Sequence, residues 1–153
     1  MALNQDLDSH ALCLLDDNDL WKIGIEALLE GLDSPMLRRL AGSDGCEAET
    51  QRKLFLAAVK ELGIVIPTPE EAGRRTARRI ARAVVVGEIE PYEGASRITR
   101  DVYWWVLSLD ELRGFAGLAY EYEDDRRHQK EYADDILAEC REYLELTDEM
   151  RST

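Results

Sequence analysis

A chain of 153 residues is the size of one ordinary domain, 1–153, and its 45% apolar content supplies a core without metal or disulfide staples. With 32 acids against 19 bases, a net charge of −13, it is repelled by nucleic-acid phosphate and anionic membrane except through a local basic patch. Three cysteines, Cys13, Cys46 and Cys140, are odd in number and far apart, so they make neither a disulfide framework nor a metal set and point to a reducing cytoplasm.

Met1 to Asp8 lacks the basic and apolar regions of a signal peptide. No stretch approaches the roughly 20 apolar residues of a bilayer span. Burial is the expected state of each cysteine. Charge is uneven along the chain. Residues 1–50 carry 11 acids and 3 bases, net −8; residues 51–100 carry 6 acids and 10 bases, net +4; residues 101–153 carry 15 acids and 6 bases, net −9.

In chain order, His10 to Leu15 reads as a helical turn or a short strand, with helix preferred. Asn18 or Asp19 caps a helix over 20–30 with Leu20, Ile23, Ala27 and Leu28 at helical spacing, and Gly31 ends it. Ser34-Pro35 starts a short helix through Leu40, stopped by Gly42. Asp44 and Glu47 spell a capping box for a helix over 47–62, with Leu54, Ala58 and Leu62 inside, Phe55 beside them and Gly63 closing it. Ile64-Val65-Ile66 is an extended connector that plugs the core.

The chain is organised around a helical hairpin, about 69–86 and 91–107. Thr68, Pro69 and Glu71 start its first arm, and Ala77, Ile80, Ala81 and Val84 form the apolar stripe before Gly87. Pro91 opens the second arm, with Ala95, Ile98, Val102, Trp105 and Val106 inside. Ser108 and Glu111 spell a capping box for a helix over 109–123, lined by Leu112, Phe115, Ala116, Ala119 and Tyr120 and holding Gly114 and Gly117. Asp124 or Asp125 caps a last helix, 126–146, whose stripe is Tyr132, Ala133, Ile136, Leu137, Cys140, Tyr143 and Leu144. Met150 to Thr153 should fray. The expected fold is all-α, a compact bundle of five to seven helices around the hairpin.

Three stretches could carry function. Arg74, Arg75, Arg78, Arg79 and Arg82 share an arc of about 140° at 100° per residue. They either pair with the acidic flanking segments or grip an anionic ligand or nucleic acid. Within residues 80–97, Ile80-Ala81-Arg82, Gly87-Glu88-Ile89-Glu90-Pro91 and Ser96-Arg97 resemble the start of the winged-helix repressor family named for the gluconate operon. The resemblance implies DNA binding. Beyond Arg100, however, Tyr103, Trp104 and Trp105 stand where small polar residues of a recognition helix belong, and Glu88, Glu90 and Glu93 bring the wrong sign to DNA.

Trp104 falls on the polar arc with Glu93, Arg97, Arg100 and Asp101, as an interface anchor does, with Tyr103 beside it; the alternative is that other segments cover it. Glu131, Asp134, Asp135, Glu139, Glu142 and Glu145 lie on the outer face of the last helix. They are a solvated face or an acidic ridge that steers a basic partner.

Catalytic patterns are lacking. His10 and His128 stand in different regions; His128 lies one turn from Asp124, but two ligands do not hold a metal. There is no Glu-x-x-His pair, phosphate loop or nucleophile elbow. The sequence therefore points to a cytoplasmic, non-catalytic protein without cofactor that binds a basic protein partner through Tyr103, Trp104 and the acids of the last helix, most concretely a toxin-neutralising immunity protein. The alternative is a regulator that binds an anionic ligand or nucleic acid through the Arg74–Arg82 face.

Overall fold

Three helices end where the backbone turns left-handed. Gly31, Gly63 and Gly87 all take positive φ and close helices there, a conformation that a Cβ penalises. The structure, a computed structural model, describes residues 2–149, so the expected fraying of Met150 to Thr153 lies outside it. Its α-helices are α1 (Ala2–Ala11), α2 (Leu20–Leu29), α3 (Pro35–Ala41), α4 (Ala48–Glu61), α5 (Pro69–Val85), α6 (Pro91–Ile98), α7 (Arg113–Asp124) and α8 (Gln129–Glu149). Among the described residues the chain is all-helical, with eight α-helices rather than five to seven and no strand. By its contacts it divides into two units, Met1–Thr68 and Pro69–Thr153.

The first unit packs α1 to α4 around Leu7, Leu20, Leu40, Phe55 and Ala58. The N-terminal helix runs earlier than His10–Leu15, and it buries Leu3, Leu7 and Asp8. Ser34 caps α3, its Oγ accepting the Leu37 N–H at 3.1 Å. The Asp44–Glu47 capping box does not form: Glu47 is the N-cap residue and makes no side-chain cap bond. Asp19 stands at the N-cap of α2, also without a cap bond; its carboxylate bridges Lys22 at 2.8 Å.

The inner face of α4 is rotated from the expected one. Phe55, Ala58 and Val59 are buried, while Leu54 and Leu62 are half-buried. Gln51 is buried with them. Its Oε1 accepts the Trp21 N–H at 3.1 Å, and its Nε2 donates to Asn18 O and Cys46 O at 3.0 Å, so one side chain satisfies three backbone groups. Ile64 and Ile66 pack on this core as a connector should, but Val65 is exposed. Of the cysteines only Cys140, in the second unit, is buried; Cys13 and Cys46 are exposed.

The hairpin frames the second unit. Ala77, Ile80, Ala81 and Val84 of α5 are all buried, as their period predicts. Gly94 lets α6 cross α5, for a Cβ there would collide with the Val84 side chain. The second arm does not run as one α-helix to 107. Residues Thr99–Tyr103 form a π turn after α6, closed by the Trp104 N–H on Thr99 O at 3.2 Å. The Ser108–Glu111 capping box is also absent, since a 3₁₀ turn (Asp110–Leu112) precedes α7 and has no side-chain cap. Ser108 instead donates to Glu70 at 3.3 Å and Glu111 pairs with Arg74. Leu112, Phe115 and Ala119 are buried, whereas Tyr120 is exposed: it sits about 100° round the helix from Ala119. Ile136, Cys140 and Tyr143 of α8 close the core.

Candidate functional site

The π turn fixes where the aromatic residues point. It takes up one residue more than an α-turn, so the chain after Val102 lags by about 100°. Trp105, expected inside, is therefore 68% exposed, and Val106 is buried in its place. Trp104 is 63% and Leu107 70% exposed, so three large apolar side chains stand in solvent on one short turn. The sequence carried a signal for this. Trp104-Trp105-Val106-Leu107 is too long an apolar run to fit one face of a helix.

Tyr103 is half-buried, with its ring 5.2 Å from that of Trp104. Arg113 hydrogen-bonds Tyr103, and this contact, ahead of the Asp110 carboxylate, holds its guanidinium more firmly protonated than usual. The next residue is Gly114, and against it lies the Glu139 carboxylate of α8: a Cβ at Gly114 would stand 2.6 Å from Glu139 Oε1. The aromatic turn thus reaches the acidic helix through the first two residues of α7.

Glu131, Asp134, Asp135, Glu142 and Glu145 are exposed. At 100° per residue they share an arc of about 100° on α8. Glu139 departs from the expected outer placement. It sits at the edge of that arc, beside the Tyr143 stripe, and is half-covered by α7. Burial, and then the neighbouring charge of Glu142, raise its pKa above the usual carboxylate value.

The arginine face is not a uniform cationic strip. Arg74 Nε lies 2.9 Å from Glu111 Oε1. Arg78 is only 8% exposed; its guanidinium reaches Asp148 at 2.5 Å, Leu144 O at 3.4 Å and the Thr147 hydroxyl. Arg79 donates to Thr76 Oγ1 at 3.0 Å and, like Arg75, makes further contacts within the chain. Arg82 is exposed. One carboxylate of the last helix is therefore committed to α5, while the five on the outer arc are exposed.

His128 pairs with Asp125 rather than Asp124, Nδ1 to Oδ2 at 2.6 Å, and this contact raises its pKa. Among the described residues no group of three His, Cys, Asp or Glu side chains is placed to hold a metal ion. No described helix is long and apolar enough to cross a membrane. The chain matches no family model, no curated protein and no solved structure.

Proposed function

We propose that this is a non-catalytic binding protein that docks a basic protein partner, with a toxin-neutralising immunity protein as its most concrete form. The observation that carries the reading is the turn that holds Trp104, Trp105 and Leu107 in solvent, joined through Arg113 and Gly114 to the acidic α8. Exposed indoles are the commonest anchors of protein interfaces, and clustered carboxylates speed the approach of a cationic partner. Trp105 and Leu107 join Tyr103 and Trp104 as anchors, and Glu131, Asp134, Asp135 and Glu142 supply the field; Glu139 stands at the junction. Two exposed free thiols fit a reducing compartment such as the cytoplasm. An anionic ligand on the arginines is the weaker reading, because Arg74 and Arg78 already hold carboxylates of this chain.

The test is capture from native lysate, eluted by a salt step, with wild type beside Trp104→Ala/Trp105→Ala and Asp134→Lys/Glu142→Lys. A basic protein retained by wild type and lost from both variants supports the reading. Equal retention by either variant, or salt-sensitive retention of DNA by wild type, overturns it.

A further inference from the structure

The first unit holds a reactive group that partner docking does not use. The end of α1 and the loop after it line a cleft of about 190 Å³ with His10, Cys13, Leu15, Asp17 and, from α4, Arg52. Cys13 is exposed and, among the described residues, is the one non-glycine residue with positive φ, at 57°. Its N–H bonds His10 O at 3.0 Å, and the Leu14 N–H reaches back to Ser9 O at 2.8 Å. These bonds hold the Cys13 backbone beside the cleft.

His10 stands one helical turn before it, half-buried, with its ring 5.1 Å from that of Phe55. Burial lowers its pKa, Asp17 opposing and Arg52 reinforcing that shift, which favours the neutral form of the imidazole. Arg52 Nη1 and Asp17 Oδ2 are 3.7 Å apart, beyond hydrogen-bond length. Guanidinium and carboxylate each keep capacity for another partner, and the head of an amino acid offers one to each: a carboxylate to Arg52 and an ammonium to Asp17.

We propose that this cleft is a thiol–disulfide exchange site, in which Cys13 takes up an amino-acid thiol from a small disulfide whose zwitterionic head is held between Arg52 and Asp17. The Cys13 thiol passes its proton to His10, and the thiolate attacks one sulfur of the disulfide. That S–S bond breaks as a new one forms on Cys13, and the departing thiolate takes the proton from the imidazolium. One disulfide is consumed and one is made, with no other oxidant or reductant. The remaining cysteines serve as internal references. Cys46 is exposed but does not line the cleft. Cys140 is buried, and burial pushes its thiol pKa up to about 12.

The experiment treats the full chain with L-cystine or with 2-hydroxyethyl disulfide, which lacks the zwitterionic head, and tracks each cysteine by peptide mass mapping. L-Cystine should modify Cys13 about tenfold faster than Cys46, about what one hydrogen bond to a charged group supplies. Hydroxyethyl disulfide should show a much smaller preference for Cys13. Arg52→Gln and Asp17→Asn should each remove the difference between the two reagents at Cys13. His10→Asn should slow Cys13 with both. Equal rates at Cys13 and Cys46 with L-cystine, or the same Cys13 preference with both reagents, would overturn the proposal.

Discussion

The carboxylate of Glu139 occupies the space that a side chain at Gly114 would need, 2.6 Å from the position of its Cβ. The contact carries a sign. Glu139 has a folded pKa raised by burial and by Glu142, so the native state holds its proton more tightly than the unfolded chain does. The stability this group contributes is fully present below the ordinary Glu value and is lost as pH rises through the raised one. At neutral pH the charge at Glu139 works against the fold. Glu139→Gln keeps the contact and removes the charge. It should stabilise the fold at neutral pH by no more than about 0.5 kcal/mol for a group only half-covered, seen as a higher melting temperature, and leave stability unchanged in mild acid. Thermal scans at the two pH values check this, and a lower melting temperature at neutral pH would refute it.

Two glycines should respond in opposite directions to alanine. Gly117 lies on α7 with nothing near its missing Cβ, so Gly117→Ala should gain up to about 1 kcal/mol of helix propensity. Gly94 faces the buried Val84, whose short branched side chain has nowhere to go, so Gly94→Ala should cost about 1–3 kcal/mol. Urea unfolding midpoints of the two variants should move to either side of wild type.

Arg78 and Arg82 share one face of α5 but not one role. Arg78 ties α5 to the end of α8 through Leu144, Thr147 and Asp148, and Arg78→Ala should cost about 2 kcal/mol, as for lost hydrogen bonds to a charged group. Arg82 is exposed, and Arg82→Ala should stay within about 0.5 kcal/mol of wild type. Chemical denaturation separates the two, and similar losses would show that the face acts through its summed charge.

Much of this architecture is legible in the residues. The stripe of α5 and the Ser34 cap declare themselves, because period and cap chemistry are local properties. Capping boxes mislead when a stronger partner lies far off in sequence. Glu111 reads as the second half of a box with Ser108, yet Arg74 takes it across 37 positions. Trp104 could be set among charged neighbours but not placed in solvent, and the over-long apolar run from Trp104 to Leu107 marks a break in the helix without saying that a five-residue π turn makes it. Cys13 escaped for a similar reason: its exposure depends on where α1 stops, and that end has no glycine to mark it.

Thr99–Tyr103 holds one residue more than the downstream winding requires. Removing one of the five other than the buried Val102 would straighten this stretch into plain α-helix and leave Val106 facing inward, with both indoles still outside. The turn is, in effect, an insertion absorbed before it can disturb Val106 and Leu109. Chain length is therefore adjustable here, and a natural or engineered single-residue deletion at this place would alter the reach of the two tryptophans rather than the packing beneath them.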